Sequence, residues 1–284
     1  MSRFFALGDV HSNATGEMRY LEAKQFPEKK ELTKEDIVFQ LGDFGFYWYY
    51  DTVLDLRTND FKRLNLMAAE NFTYFVIPGN HDNYDLIMSL PVVEKFGGRV
   101  YSLVLDSGTM YFAIRGEVYT INDKTFFTFS GAKSGGVKGH KTLEMHESGK
   151  YYSFPKYRYG EQVGIKQLRV KLSQINYWAQ ELATEEEYEY ALANLALHNY
   201  EVDYILTHTC PRDVLEMSLD SSNEDYVSKF NDPTTDFFDK IQKRISFKEW
   251  HFGHLHNNFN YVDLLGRKYF CHYKTKPTEF GRED

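Results

Sequence analysis

The sequence has little cysteine, little proline and no long hydrophobic run. Its 284 residues include 2 cysteines and 7 prolines. Two thiols, Cys210 and Cys271, are too few for a disulfide scaffold and fit a reducing compartment. No run approaches the roughly 18 apolar residues of a transmembrane helix, and the apolar stretch at the N-terminus is too short for a signal peptide. The sequence therefore predicts a cytoplasmic protein without a membrane span.

Positive charge is also in deficit. The chain has 33 basic and 41 acidic residues, a formal net charge of −8, whereas general nucleic-acid binding requires a basic surface. A phosphorylated small molecule or nucleotide stays compatible as a substrate, because bound cations reverse the local field. Aromatic residues are plentiful, at 17%, and they favour strands.

Several short apolar runs have the character of buried strands and end in polar pairs. These runs are 3–7, 37–41, 74–77, 202–206 and 248–252. Charge-rich segments at 13–27 and 51–71 separate the first three runs and are predicted to contain helices. Alternation of strands and helices predicts parallel pairing within an α/β fold.

The middle of the chain has a different pattern. Aromatic and β-branched runs within residues 100–130 predict an antiparallel meander. Residues 131–160 are predicted to be a long surface loop, and the apolar spacing from Ile165 to Leu182 predicts a helix. Thr184 and Glu187 form a capping box that opens a second helix. We expect a single domain over residues 1–284 with a loop and helical insertion at about 131–200.

Five of the predicted strands end in side chains that can bind metal ions. These side chains are Asp9, His11, Asp43, Asn80, His81, His208, His254 and His256. Ligands of open α/β sheets bind beyond the carboxyl ends of the strands, so residues distant in sequence are expected to meet there. Imidazole, carboxylate and amide oxygen suit Mn, Fe or Zn, and the set contains no thiolate of a structural zinc site.

The number of these groups is enough for two ions. Two ions about 3.5–4 Å apart are a known device for in-line displacement at phosphorus. Each motif alone is a weak signal, because Gly-Asp is commonly a turn and a lone histidine is commonly a core residue. Five such motifs in order, each at the end of a strand, point to a metal centre.

The ordered motifs resemble those of the calcineurin-like metallophosphoesterase superfamily. The resemblance spans residues 8–256 and rests on Gly8-Asp9-Val10-His11, Gly42-Asp43, Gly79-Asn80-His81-Asp82, Thr207-His208 and Gly253-His254-Leu255-His256. The stretch 202–211 strengthens this resemblance, and the stretches 130–132 and 178–181 resemble bacterial and phage members in particular.

This resemblance implies a four-layer αββα sandwich of two mixed β-sheets, with a dinuclear metal site at the carboxyl ends of the strands. It implies that a first ion is held by Asp9, His11, Asp43 and His256. A second ion would be held by Asp43, Asn80, His208 and His254, with Asp43 bridging the two. His81 would face the substrate.

The implied activity is hydrolysis of a phosphomonoester, nucleotide or phosphodiester. A hydroxide that bridges the ions would attack phosphorus in line, while His81 protonates the leaving oxygen or hydrogen-bonds a phosphoryl oxygen. The implied cofactor is two divalent metal ions. Mn is expected from the resemblance, with Fe, Zn or Ni as alternatives that the same donor atoms accept.

Two other functions stay open. A serine/threonine-type phosphoprotein phosphatase is disfavoured. The phosphatases of this type in the superfamily carry Asp and Arg at the positions where this chain has Phe46 and Tyr47. They also carry Glu where it has Asp82. A non-catalytic interaction module on the same fold is disfavoured because every expected ligand is present.

Two segments could contribute to substrate binding. The aromatic run 44–50 is interpreted as a cap over the core, with a stacking wall for a base as the alternative. The segment 131–160 is either a lid that binds phosphate or a solvated loop. The first interpretation depends on its basic side chains, which are Lys133, Lys138, His140, Lys141 and His146.

Overall fold

A computed structural model describes most of the chain. The described residues are 2–11, 20–45, 59–134, 151–158, 161–169, 179–218, 230 and 232–282. They contain fifteen strands: β1 (Phe4–Leu7), β2 (Ile37–Leu41), β3 (Thr73–Ile77), β4 (Val92–Lys95), β5 (Gly98–Leu105), β6 (Gly108–Ala113), β7 (Val118–Ile121), β8 (Lys124–Phe129), β9 (Tyr151–Arg158), β10 (Glu161–Arg169), β11 (Tyr204–Thr207), β12 (Glu249–Phe252), β13 (Phe259–Val262), β14 (Lys268–Cys271) and β15 (Thr278–Phe280).

Helices in the described residues are short. They are α1 (Asn59–Ala68), α2 (Tyr84–Met88), α3 (Glu185–Leu197), α4 (Arg212–Ser218) and α5 (Pro233–Ile241), with 3₁₀ turns at Pro27–Lys30 and Ala179–Glu181. The predicted capping box at Thr184 and Glu187 is confirmed, since each side chain bonds the other's backbone amide. In the part of the chain that the structure describes, none of the helices has the length and apolar character needed to cross a membrane.

Two mixed sheets form the centre of the fold. The first has the strand order β15-β1-β2-β3-β6-β5-β4, and the second has the order β13-β14-β12-β11-β8-β7. In the first sheet β1, β2, β3 and β6 run parallel, and in the second β8, β11, β12 and β14 do so. The expected parallel pairing is therefore confirmed, with antiparallel strands at the sheet edges.

Alternation along the strands divides the apolar residues among three clusters. In β1, Phe5 and Leu7 face a cluster that includes residues of α1 and α2. Phe4 and Ala6 face the opposite way, into a cluster shared with residues of the second sheet. A third cluster joins the outer face of the second sheet to α3, α4 and α5. Successive side chains of a strand point to opposite faces, so this arrangement is the predicted four-layer sandwich.

The predicted meander over residues 100–130 is wrong in its topology. β5 pairs with β6, and β7 pairs with β8, but the two hairpins belong to different sheets. The chain changes sheets at Arg115 and Gly116. Arg115 is buried, and Gly116 has φ of +82° with Ala191 of α3 close against it. This tertiary contact is invisible in the local alternation that suggested one continuous meander.

The predicted loop and helix within 131–200 are also corrected in part. β9 and β10 form a separate two-stranded antiparallel sheet, with Tyr152 opposite Leu168. Strand structure over 161–169 contradicts the helix predicted from Ile165 onward. Over a short segment, apolar residues three positions apart are compatible with a helix or a strand. Pairing with β9, which is rich in aromatic residues, favours the strand for residues 161–169. Residues 135–150 of the predicted loop and residues 170–178 of the predicted helix lie outside the described residues.

Candidate metal centre

The carboxyl ends of five strands bring the predicted side chains together. Asp9, Asp43 and Asn80 follow the adjacent strands β1, β2 and β3, while His208 and the pair His254 and His256 follow the adjacent strands β11 and β12. The two sheets meet at this end, since the His254 amide donates to Asp9 Oδ2 at 2.7 Å. The convergence of these side chains that is expected from the sequence is therefore present.

Five of the expected ligands have left-handed backbone conformations. The φ angles are 52° at Asp9, 54° at His11, 49° at Asp43, 68° at His254 and 50° at His256. Such conformations are uncommon for residues with a side chain, cost free energy, and concentrate at functional sites. Their grouping here shows that the strand ends turn sharply in order to direct these side chains into one place.

Gly42 permits the closest approach in the site. Its φ is +80°, and a Cβ atom there would lie 2.0 Å from Nδ1 of His208. Only glycine accepts both this backbone conformation and the adjacent imidazole. The Gly-Asp motif therefore has a packing requirement as well as a turn requirement.

One cluster comprises Asp9, His11, Asp43 and His256, whose potential ligand atoms all lie within 4.8 Å of one another. His11 Nε2 is 2.9 Å from His256 Nε2 and 3.5 Å from Asp43 Oδ2. Asp9 and Asp43 are buried, His11 is partly exposed and the side chain of His256 is 49% exposed. The cluster is thus closed on the protein side and open to solvent on the other.

A second group surrounds the buried imidazole of His208. Its Nδ1 lies 2.9 Å from the carbonyl oxygen of Leu41 and therefore donates to it. Its Nε2 faces two oxygens, Asn80 Oδ1 at 2.9 Å and Asp43 Oδ1 at 3.3 Å. The ring of His254 packs edge-on at a centroid distance of 4.9 Å. One imidazole nitrogen and two oxygens therefore converge on a position that calls for a positive charge.

Two buried atoms support the same conclusion. Among the described residues, no group forms a hydrogen bond with Asp9 Oδ1 or with His254 Nε2. An unsatisfied buried polar atom costs about 1–3 kcal/mol. Metal ions bound by these lone pairs would satisfy both atoms, so the donor set fits divalent cations.

The electrostatics of the two groups are strongly perturbed. Burial holds the pKa of Asp9 well above its usual range, which the His208 imidazole opposes and the Asp43 carboxylate reinforces. Burial also acts to raise the pKa of Asp43, but nearby imidazoles hold it well below its usual range. Burial opposes charge on His208, yet Asp43 and Asp9 raise its pKa to about 9. The two carboxylates thus create a negative field in which a bound cation is favoured.

His81 and Asp82 occupy different positions despite being neighbours. The His81 amide donates to Asp43 Oδ1 at 2.8 Å, and its ring lies 5.7 Å from that of His11, on the partly exposed side. Asp82 is buried and accepts from the amides of Gly45 and Gly79, each at 2.7 Å. Asp82 therefore fixes the loops after β2 and β3 relative to each other.

The aromatic run is described only at its beginning. Phe44 is buried in the first apolar cluster, with its ring near those of Tyr74 and Phe112. That position agrees with the core cap favoured from the sequence. Residues 46–50 lie outside the described residues, as do Lys138, His140, Lys141 and His146.

Sequence reasoning missed four residues near the centre. Ser134 and Glu181 form buried hydrogen bonds next to Asn80. The Tyr273 ring stacks on His256 at 4.7 Å, and Lys274 Nζ lies 5.0 Å from the Tyr273 centroid. None of these residues stands beside a strand-end motif, and the positive φ of Lys274, 45°, is not readable from sequence.

Solved structures that align with most of this chain have low sequence identity to it. The alignment with a dimetal phosphatase from Danio rerio has 13% identity and covers 97% of this chain and 88% of the phosphatase chain, with a TM-score of 0.48. GAP50, the anchor in the inner membrane complex of Plasmodium, is 10% identical over 96% of this chain and 71% of its own, with a TM-score of 0.41. The alignment with phosphopantetheinyl hydrolase from Mycobacterium tuberculosis has 13% identity and covers 96% of this chain and 90% of the hydrolase chain, with a TM-score of 0.37.

A comparison with curated protein sequences found no match. The family model for calcineurin-like phosphoesterases, in contrast, matches residues 2–258, nearly the whole chain. The matched region contains every predicted ligand, and the family together with the Asp and His cluster indicates a dinuclear site for divalent metal ions. The chain therefore belongs to the calcineurin-like phosphoesterase family and is a hydrolase of phosphoric esters.

Proposed function

We propose that this enzyme hydrolyses small phosphate esters, such as phosphomonoesters, nucleotides or small phosphodiesters, at a pair of divalent ions. The observation that carries the proposal is the convergence of Asp9, His11, Asp43 and His256 within 4.8 Å at the solvent-open end of both sheets. Phe46 and Tyr47 replace the acidic and arginine residues expected of phosphoprotein phosphatases, which favours a small substrate. Mn is the proposed ion, with Fe, Zn or Ni as alternatives.

The proposed ligand sets follow the two groups of side chains. Asp9, His11, Asp43 and His256 would hold one ion. Asp43, Asn80, His208 and His254 would hold the other, with Asp43 common to both. Divalent ions in such a site acidify bound water and neutralise charge that develops on the phosphoryl group.

His81 is proposed to act on the substrate. Its amide is fixed on Asp43 while its ring lies on the partly exposed side near His11. From there it would protonate the leaving oxygen or donate a hydrogen bond to a phosphoryl oxygen. We expect His81→Ala to keep its bound metal and to lose turnover by about 10²–10⁴-fold; loss of both ions in this variant would contradict the role.

Lys274 is proposed to attract the phosphate. It is the cationic side chain next to the Tyr273 ring that stacks on His256. The pKa of His256 is lowered mainly by burial, and the charge of Lys274 adds to this effect. Lys274 therefore lies close enough to influence the solvent-open cluster. A lysine here would compensate for the arginine that the chain lacks after Asp43.

The test compares two chromogenic esters. Purified protein would be stripped with a chelator and reloaded separately with Mn, Fe, Zn or Ni, and its metal content would be counted. Para-nitrophenyl phosphate and bis-para-nitrophenyl phosphate would then report monoester and diester hydrolysis. We expect hydrolysis that depends on added metal and disappears in Asp43→Asn, with Asp106→Asn, at an exposed aspartate, as the matched control.

Each result has a defined meaning. Diester cleavage would assign nucleotide or phosphodiester substrates, and monoester cleavage without diester cleavage would assign phosphomonoesters. Hydrolysis that survives in Asp43→Asn, or an equal loss in Asp106→Asn, would refute the proposed site. Efficient dephosphorylation of phosphopeptides without cleavage of either small ester would refute the proposed substrate class.

A further inference from the structure

A buried chain of hydrogen bonds leads away from Asn80. The Asn80 Nδ2 group donates to Ser134 Oγ at 3.2 Å. Ser134 donates twice to Glu181, from its amide at 2.7 Å and from its hydroxyl at 2.6 Å. Asn80, Ser134 and Glu181 are 1%, 7% and 0% exposed, so water does not compete for these bonds.

The direction of these bonds determines which way the Asn80 amide faces. An ionised carboxylate only accepts hydrogen bonds, so both donors of Ser134 point at Glu181. The lone pairs of the Ser134 hydroxyl then remain for Asn80, which meets them with its NH₂ group. The amide oxygen is consequently directed the other way, towards His208 Nε2 at 2.9 Å.

Glu181 is itself held on both sides. The guanidinium of Arg115 donates to the carbonyl oxygens of Gln180 and Leu182, the residues that flank Glu181, at 2.8 and 3.5 Å. It also donates to the Ser130 carbonyl oxygen at 2.9 Å. A Cβ atom at Gly131 would lie 2.1 Å from the Glu181 carbonyl oxygen, which shows how closely the segments carrying Ser134 and Glu181 pack.

We propose that Ser134 and Glu181 are positioning residues that present the oxygen of Asn80, rather than its NH₂ group, to the second metal ion. The inference rests on the proposed function, because it requires Asn80 to be a ligand. An amide oxygen binds a cation and an amide NH₂ group does not, so the orientation of Asn80 decides whether the second ion has its full set of ligands. Groups that orient ligands in this way typically contribute 10–100-fold to metal affinity.

Glu181→Gln is the sharpest perturbation, because it preserves shape and changes one acceptor into a donor. If its NH₂ group faces the Ser134 hydroxyl, that hydroxyl must accept and turns its proton towards Asn80. The Asn80 oxygen then rotates to meet this proton, and its NH₂ group faces the metal. If the NH₂ group faces the Ser134 amide instead, two donors meet. Either arrangement disrupts the chain.

The experiment measures metal binding, with hydrolysis as a second readout. Mn would be titrated into chelator-stripped full-length protein at about pH 8, above the value of about 7 to which burial raises the pKa of Glu181. Calorimetry gives the affinity of each site, and electron paramagnetic resonance separates a coupled Mn pair from a single Mn ion. We expect Glu181→Gln and Ser134→Ala to bind the second ion about 10–100-fold more weakly, with the first ion unaffected.

Two control variants keep the test specific. Ser134→Thr retains the hydroxyl group and is expected to retain the Mn pair. Glu117→Gln alters another buried carboxylate, bonded to Arg99 and Tyr190, and is expected to leave both affinities unchanged. Unfolding transitions would establish that all four variants are folded.

The outcomes distinguish this proposal from the proposed function. Wild-type affinity and an unchanged coupled spectrum in both Glu181→Gln and Ser134→Ala would overturn the positioning role while leaving the metal centre intact. An equal loss in Glu117→Gln would also overturn it. Failure of the wild-type chain to bind a pair of ions would overturn the proposed function, and this inference with it.

Discussion

Gly42→Ala combines two costs that can be measured separately. The new methyl group would lie 2.0 Å from His208 Nδ1 and 2.4 Å from its Cγ, whereas ordinary contacts begin at 3.4 Å. The imidazole would have to retreat by roughly 1.4 Å, more than a close-packed interior allows without rearrangement. This movement breaks its bonds to the Leu41 carbonyl oxygen and to Asn80, both 2.9 Å long.

The second cost is the left-handed backbone, and the chain offers a matched control for it. Gly266 has the same φ, +80°, but a Cβ atom there meets nothing within 4 Å. Gly266→Ala should therefore cost only the conformational term, about 1–2 kcal/mol. Gly42→Ala should cost an additional amount of about 2–6 kcal/mol, from two broken buried hydrogen bonds at about 1–3 kcal/mol each.

Urea unfolding of both variants, followed by tryptophan fluorescence and circular dichroism, measures this difference. Metal analysis of the folded protein provides a second readout, because displacement of His208 should also reduce the metal content of Gly42→Ala but not that of Gly266→Ala. Equal destabilisation of the two variants would refute the packing argument. So would a full complement of metal in Gly42→Ala.

Three further predictions follow from other parts of the structure. Arg115→Met should destabilise the fold by about 3–5 kcal/mol in urea unfolding, because backbone carbonyl groups and Glu187 lose a buried partner. Arg212→Met removes an ion pair with Asp236 that is partly exposed on both sides, and it should cost less than about 1 kcal/mol. Similar losses in the two variants would contradict the reasoning. Lys274→Ala should raise KM for a phosphate ester by about tenfold with little change in kcat, and steady-state kinetics showing the reverse split would argue against phosphate binding. Burial raises the pKa of Glu181 from about 4.5 to about 7, so in metal-free protein the unfolded chain releases this proton at lower pH than the folded chain does. The stability of the wild type relative to Glu181→Gln should therefore fall by up to about 3 kcal/mol as the pH rises between these two values. Unfolding curves whose difference is independent of pH would refute the raised pKa.

The sequence predicted the strand ends of the centre because their signals are local. Each relevant strand is a short apolar run that stops at a polar residue, and glycine before Asp9, Asp43, Asn80 and His254 marks the sharp turn. Parallel pairing then follows from the spacing of the runs, and the common edge of parallel strands brings the side chains together. The confirmed four-layer fold depends on the same alternation of strands and helices.

Features that depend on contacts between distant segments could not be predicted in this way. The change of sheet at Arg115 depends on a guanidinium that binds residues more than sixty positions further along the chain. Glu181 lies in the stretch 178–181 that carries part of the family resemblance, but its role, like that of Ser134, becomes clear only when the fold buries both residues near Asn80. The apolar spacing within β10 also fits a helix, and it stays ambiguous until the register with β9 is known.

The proposed ligands come from both sheets, and this has a consequence for how the protein tolerates heat and chelators. Asp9, Asp43 and Asn80 extend from the first sheet, whereas His208, His254 and His256 extend from the second. An ion bound between them is a reversible cross-link between two halves of the sandwich, and at a thousand times its Kd it adds about 4 kcal/mol to the stability of the folded state. The cofactor for hydrolysis would then also raise the melting temperature of the enzyme, and a chelator would lower the stability of the folded protein as well as abolish its activity.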